Sequence, residues 1–360
     1  MSLPAGIPAP LFSAPSPINP KFAFGSLGGR YILLGFLPHP GPERDAALQL
    51  IQDHAALFRD DRILFFGVLP DAESYAKAQN EPPCRWFADL EGELRRLYHA
   101  VDASGGLQPL WVLIDPMLRI LGSAPLARGP EVIAQLARLG DPDAHAGVPV
   151  HAPVLIVPRI FEPQLCRRLI EVYQADGGAP SGTMVERDGK TVGMLSDFKR
   201  RRDASITDEV LIAECRGRLR HRLLPQIEKA FQFSTTHIER YIVACYDADD
   251  GGWFNPHRDN TTLGTAHRKF AVSINLNADE FEGGDLRFPE FGRRTYRPPT
   301  GGAVVFSCSV LHEATQVTKG TRYAFLPFLY DAAGAVVRAA NVHALDVSDP
   351  AAPAIEPAER

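Results

Sequence analysis

Cysteine is scarce in this chain, and nothing in its spacing suggests pairing. The five residues (Cys84, Cys166, Cys215, Cys245 and Cys308) are odd in number and form no C-x-x-C pair. That argues against a disulfide framework, a zinc ribbon or a dithiol redox motif. Reduced and mostly buried thiols are expected instead, which fits a cytoplasmic protein. There is also no apolar run long enough to span a bilayer, and the first residues lack the basic and apolar regions of a signal peptide, so no membrane association is expected. A basic excess is missing too. With 38 Lys and Arg against 43 Asp and Glu the net charge is −5, and no basic stripe with interleaved aromatics occurs, so nucleic acid is not an expected partner. Internal repeats are absent, and the sequence leaves the oligomeric state open.

The 360 residues are enough for two domains, and 45% hydrophobic with 22% charged residues is ordinary for a globular protein. Prolines gather between Pro4 and Pro20 and again beyond Asp349. Residues 1–22 are therefore expected to be a flexible N-terminus and 336–360 a C-terminal tail. Residues 23–140 alternate strand and helix patterns. Strands are expected at 30–37, 63–69 and 109–115, with a hairpin partner at 117–122, and helices at 45–58, 91–99 and 130–139. Such alternation implies a mainly parallel sheet covered by helices. The Gly-, Pro- and Asp-rich residues 141–152 read as a linker.

Residues 153–335 have a different texture. After a strand at 154–157 and helices at 162–174 and 208–231, the latter open to interruption at Pro225, come short apolar runs separated by Gly, Pro and Asp turns. These are Arg240-Tyr-Ile-Val-Ala-Cys-Tyr246, Phe270-Ala-Val-Ser-Ile-Asn-Leu276, Leu286-Arg-Phe288, the run ending Gly302-Ala-Val-Val-Phe306, Ser309-Val-Leu-His312 and Gly320-Thr-Arg-Tyr-Ala-Phe-Leu-Pro-Phe328. The pattern predicts a β-sandwich or jelly roll with bracing helices, and so an α+β chain of two domains.

Within it stands the chemistry. His257-Arg-Asp259 and the distant His312 offer two histidines and one carboxylate, the donor set of non-heme Fe(II) oxygenases, in which three metal positions stay open. Arg322, ten residues beyond His312, offers a guanidinium able to take a carboxylate bidentately. Among eleven histidines an H-x-D alone says little, so its surroundings decide. Each residue has a plainer reading as well. His257 could be a turn histidine, His312 a satisfied core histidine, Arg322 an edge-strand charge and Tyr246 simply core. An arginine buried in a jelly roll would, however, need an anionic partner. His237-Ile-Glu239 has no matching downstream histidine and base and is taken as structural. Lys199-Arg-Arg-Arg202 reads first as a solvated strand end, with a rim attracting an acidic substrate as the alternative.

Taken in order, Val243-Ala-Cys-Tyr246, His257-Arg-Asp-Asn260, Glu282-Gly-Gly-Asp-Leu286, Gly302-Ala-Val-Val-Phe306 and His312-Glu-Ala-Thr-Gln-Val-Thr-Lys-Gly-Thr-Arg322 resemble the prolyl-4-hydroxylase-type 2-oxoglutarate and Fe(II)-dependent dioxygenases. The resemblance covers residues 153–331 and implies a double-stranded β-helix. By it, His257, Asp259 and His312 bind Fe(II), while Arg322, and less securely Tyr246, bind the distal carboxylate of 2-oxoglutarate. It further implies dioxygen as co-substrate, succinate and CO2 as co-products, and ascorbate as an optional reductant. A prolyl residue of a peptide or protein is the implied substrate, with a free amino acid or natural-product intermediate as the alternative. Related halogenases lack the carboxylate, so Asp259 favours hydroxylation. The N-terminal pattern, with Ile114-Asp-Pro116 entering a hairpin, resembles the thioredoxin fold of peroxiredoxins. Residues 36–45, where that family carries its peroxidatic cysteine, contain none. Peroxide reduction needs a thiolate, so this domain is expected to be catalytically silent and to serve docking, substrate presentation or dimerisation. The alternatives of a different class are a thioredoxin-like redox protein acting through Cys84 and a non-catalytic binding protein.

Overall fold

The computed structural model describes residues 3–345. It divides into two units, one of residues 1–152 with 289–293, the other of residues 153–288 with 294–360. No helix among the described residues is long and apolar enough to cross a membrane.

The first unit is built on a five-stranded sheet in the order Cys84–Ala88, Ile63–Leu69, Tyr31–Phe36, Leu110–Ile114, Ile120–Pro125. The first three strands are parallel and the last two antiparallel. Every residue of the central strand is buried, because both of its faces carry a core. Ile32, Leu34 and Phe36 join one cluster, while Tyr31 and Leu33 join the other. Helices Pro42–Asp53 and Gly129–Arg138 cover the latter through Ala47, Ile51, Val132, Ile133 and Leu136. Both helices begin with proline in the first turn, where a missing N–H leaves nothing unsatisfied. The first therefore starts ahead of the expected Asp45.

The opposite face is covered by a segment expected to be flexible. Residues Ser13–Ser16 and Asn19–Ala23 form a hairpin. Phe12, Phe22 and Phe24 pack their rings against Phe66, Phe87 and Tyr98. The prolines here sit at turns and edges, and the aromatics between them supply enough apolar area to order the segment. A second correction applies at the other end. Helix Ala332–Asn341 runs into the expected tail, started by Asp331, whose carboxylate accepts from Gly334 N at 2.7 Å. The rest of that tail, from 346, lies outside the described residues.

The second unit places two antiparallel sheets face to face, a jelly-roll arrangement. The larger runs His237–Glu239, Phe328–Tyr330, Phe270–Asn275, Thr321–Phe325, Ile242–Asp247, Arg202–Ser205, Ala179–Pro180, with Ala303–Ser307 and Leu155–Val157 paired on outward from Phe270–Asn275. The smaller runs Lys199–Arg200, Trp253–His257, His312–Ala314, Leu286–Arg287, Thr295–Tyr296. Helix Pro163–Asp176 and the helical stretch 209–231 brace the larger sheet, burying Leu165, Leu169, Leu211, Leu219 and Ile227 against Val243, Val272, Val305 and Phe325. The 209–231 stretch contains a π turn, Leu219–Leu223, just ahead of Pro225. The wider turn accommodates the ring and its missing donor without ending the helix. The sequence reading passed over a further hairpin, Thr183–Arg187 with Lys190–Met194, turning at Asp188-Gly189 with positive φ at both residues.

Period-2 alternation decides what faces the space between the sheets. In Ile242–Asp247, Val243 and Cys245 join the helix-covered core while Ala244 and Tyr246 point the other way. In Thr321–Phe325, Tyr323 and Phe325 face the helices, leaving Arg322 and Ala324 on the inner side; Tyr246 stands opposite Arg322 in register. The glycine hairpin that precedes Leu286 is equally constrained. Gly283 has φ +71°, and a Cβ there would lie 2.1 Å from the Gln316 carbonyl oxygen. Gly283→Ala is expected to destabilise the protein by more than about 1 kcal/mol, since neither the φ nor the space suits alanine; urea unfolding beside the wild type measures it.

Candidate metal centre

His257 ends one strand of the smaller sheet and His312 begins its neighbour, and the two are directly paired in register. That pairing brings their rings to 4.3 Å between centroids. Asp259 lies two residues on, its N–H donating to the Cys308 carbonyl at 2.9 Å. The side chains of His257, Asp259 and His312 are 11%, 13% and 6% exposed. Their donor atoms all lie within 4.8 Å of one another, as one metal ion would require.

The tautomers are arranged for ligation. Nδ1 of His257 lies 2.7 Å from the Asn255 carbonyl oxygen, and Nδ1 of His312 lies 3.0 Å from that of Val310. A carbonyl only accepts, so each Nδ1 carries a proton, which leaves Nε2 as the atom available to a metal. Those Nε2 atoms face Asp259, at 3.6 Å from Oδ1 for His257 and 3.3 Å from Oδ2 for His312. Burial, reinforced by the charge His312 would carry, holds the His257 pKa well below its ordinary value. Burial alone would raise Asp259, but the adjacent histidines, His312 foremost, bring it below the ordinary carboxylate range. A neutral His257 imidazole beside an ionised Asp259 suits a divalent cation, which needs deprotonated ligands.

Arg322 is 3% exposed. Its Nη2 donates to Ser273 Oγ at 2.9 Å and its Nε to Asn275 Oδ1 at 3.2 Å, and its guanidinium lies 5.1 Å from the Tyr246 ring centroid. Both hydrogen-bond partners are neutral, and burial lowers its pKa. Asp285, the nearest acidic influence, is paired with Arg297 at 2.5 Å. Tyr246 is buried, its hydroxyl 3.4 Å from Nη1 of Arg201.

The basic run at 199–202 departs from its first reading. Only Arg200 and Arg202 are exposed, while Lys199 and Arg201 are buried, 8% and 9% exposed. Strand alternation sends every second cation inward, a signal present in the sequence but outweighed there by the charge of the run. Asn275 and Ser273 were likewise passed over as ordinary strand residues. His237-Ile-Glu239 remains structural: Glu239 accepts from Arg268 at 2.8 Å and meets His267, and the His237 ring stacks on Tyr330.

Residues 241–330 match the family model described as 2OG-Fe(II) oxygenase superfamily. Among curated relatives, a PKHD-type hydroxylase of Synechococcus sp. (strain JA-2-3B'a(2-13)) is 27% identical over 93 residues, 24% of this chain and 41% of that protein. One of Delftia acidovorans is 37% identical over 84 residues, 21% of this chain and 37% of that protein. One of Pseudomonas fluorescens (strain Pf0-1) is 25% identical over 183 residues, 48% and 75% respectively. The chain thus spans about 41% of the length of the first of these relatives. A solved Pseudomonas putida prolyl-4-hydroxylase aligns at 16% identity, over 52% of this chain and 95% of that one, with a TM-score of 0.37, too loose a likeness to define the fold. Within the C-terminal half, residues 241–330 are thus similar to 2OG-Fe(II) oxygenases, and this segment holds all three metal-cluster residues and Arg322.

One divalent ion per chain is expected in anaerobic titration calorimetry with Fe(II). Asp259→Ala and His312→Ala should each weaken it by about tenfold or more, as loss of a ligand at a site of this kind does.

Proposed function

We propose that the chain is a 2-oxoglutarate- and Fe(II)-dependent dioxygenase that hydroxylates an unactivated C–H bond, with a prolyl residue of a peptide or protein as the first candidate substrate. The observation that carries the reading is Arg322, a buried guanidinium with only neutral partners, set in the same inter-sheet space as a two-histidine, one-carboxylate cluster. An unpaired buried cation is costly, and a dicarboxylate co-substrate removes that cost while a metal takes its other end.

In this reading His257, Asp259 and His312 hold Fe(II). Fe(II) bound there would supply dioxygen activation coupled to conversion of 2-oxoglutarate to succinate and CO2, with one oxygen atom going to succinate and the other to the oxidised carbon. Arg322 fixes the distal carboxylate of 2-oxoglutarate. Ser273 and Asn275 hold the guanidinium in place, and Asn275 is itself tied by its Nδ2 to the Pro298 carbonyl at 3.1 Å. The Tyr246 ring forms a wall beside Arg322, and its hydroxyl can share the same carboxylate. Phe254, stacked on His257 with centroids 3.4 Å apart, and Phe306, 4.5 Å from His312, keep water from the ligand rings. Ascorbate would serve as reductant.

We assign the dioxygenase domain to residues 153–335, a thioredoxin-like domain to residues 23–140 and a linker to 141–152. The thioredoxin-like assignment is supported by the first unit's sheet order, three parallel strands followed by an antiparallel pair. That domain serves docking, substrate presentation or dimerisation rather than redox chemistry. Cys84 is buried, and burial raises its thiol pKa despite Gln52 and Arg85.

Two measurements test these readings. Anaerobic addition of Fe(II) and then 2-oxoglutarate should produce a visible charge-transfer band, absent in His312→Ala and requiring about tenfold or more 2-oxoglutarate in Arg322→Ala, since a charge-assisted bidentate pair is lost. A metal-competent wild type without the band would overturn the function. Because a raised pKa keeps Cys84 protonated at neutral pH, native protein should react slowly with a disulfide reagent at pH 7, and all five thiols should react at once after denaturation.

A further inference from the structure

Beside the metal cluster the second unit gathers three basic side chains. Lys199 and Arg201 point inward from the basic run, and Arg240, its side chain 15% exposed, joins them. Asp203 is the carboxylate among them. It accepts from Nη2 of Arg201 at 2.6 Å and from Ser181 Oγ at 2.6 Å, and lies 3.9 Å from Nη2 of Arg240. Lys199 has only neutral acceptors, Ser181 Oγ at 2.7 Å and the Gly182 carbonyl at 2.8 Å. Nε of Arg201 and Nε of Arg240 are buried with no hydrogen-bond partner among the described residues, as is Oδ1 of Asp203. Three basic side chains share this one carboxylate, and burial holds the Lys199 pKa well below its ordinary value. Asp259 also faces Lys199 and Arg240 electrostatically, but the metal reading already claims it.

The position of this charge gives it meaning. Phe254 stacks on His257 with one face, while Lys199 Nζ lies 4.7 Å and the Arg201 guanidinium 5.9 Å from its ring centroid. The two cations are thus one aromatic ring away from a metal ligand. A cavity of about 440 Å³ opens against the same strand, lined by Ser181, Lys199 and Arg201 together with the carboxylates Asp197, Asp247 and Asp250. Two of the three carboxylates are engaged elsewhere, Asp197 with Arg200 and Asp247 with Thr321 Oγ1 at 2.7 Å. Their presence in the wall disfavours a doubly charged phosphate and suits a singly charged group.

Resting on the dioxygenase reading, we propose that the substrate carries a carboxylate, held by Lys199 and Arg201 with Arg240 behind them, about one residue away from the carbon that is oxidised. The carboxylate is either an acidic side chain beside the target residue of a peptide or the free carboxylate of a small acid. The recognition chemistry is common to both, a charge-assisted contact to Lys199, whose hydrogen-bond acceptors among the described residues are all neutral.

The test is titration calorimetry on the full chain without oxygen, with Fe(II) and 2-oxoglutarate and again with neither. N-acetyl-Gly-Pro-Asp-amide is compared with N-acetyl-Gly-Pro-Asn-amide, and N-acetyl-L-proline with its amide. In at least one pair the wild type should prefer the acidic member by about tenfold or more, the scale of one charge-assisted contact. The pair that shows the preference identifies the source of the carboxylate. Lys199→Met should reduce the preference to within about threefold, and Lys199→Arg should retain it. Arg201→Gln paired with Asp203→Asn, which removes both charges of the ion pair and so strands neither, should also reduce it. Equal affinity within both pairs in wild type would overturn the proposal, and so would a preference that survives both charge-removing variants. A preference measured without iron and 2-oxoglutarate, in a protein that gives no charge-transfer band, would retire the dioxygenase reading and leave the carboxylate site standing.

Discussion

Direct pairing of His257 with His312 across two antiparallel strands is the constraint on which the rest of the second unit depends. A slip of one residue in either strand would turn one imidazole to the other face of the sheet. The register is fixed by neighbouring contacts rather than by the histidines. Phe254 pairs with Ala314 on one side, the Asp259 N–H is tied to Cys308, and Leu286 pairs with Ala314 from the next strand. The metal cluster is therefore a product of sheet pairing, and the carbonyls of Asn255 and Val310 then only need to choose the tautomers.

Charge placement follows a similar logic on the opposite sheet. Strands Phe270–Asn275, Ile242–Asp247 and Thr321–Phe325 send Val272, Ile274, Val243, Cys245, Tyr323 and Phe325 toward the helices, and Ser273, Asn275, Tyr246 and Arg322 lie on the opposite face without any one of them being exposed. The helices covering the other face make this tolerable, because their Leu and Ile side chains supply the hydrophobic stabilisation that a polar interior does not.

Much of this was legible in the sequence, for reasons that differ between features. The strands at 63–69 and 270–275 were readable because apolar and β-branched residues cluster between turn formers, and the metal cluster because its residue types and context are both distinctive. The order of the N-terminal segment was not. Its prolines suggested disorder, while the contribution of Phe12, Phe22 and Phe24 depends on a partner surface formed by Phe66, Phe87 and Tyr98 far along the chain. The hairpin at 183–194 carried the Asp-Gly signature that favours a tight turn, but its flanking residues are too polar to read as strands. The run at 199–202 was misjudged for an opposite reason. Four consecutive cations look solvated until strand periodicity is applied to them, and then two of the four must point inward.

That same run changes sheets within a few residues: Lys199 and Arg200 pair with the smaller sheet, Arg202 to Ser205 with the larger. Arg201 sits at the crossing, its backbone carbonyl accepting from Ser181 N at 2.9 Å. A strand shared in this way acts mechanically as a clasp, since the sheets cannot splay along this edge without pulling on one continuous backbone. The width of the opening at that edge is thereby tied to the position of a guanidinium. Whatever this side chain grips there also sets how far apart the two sheets can breathe.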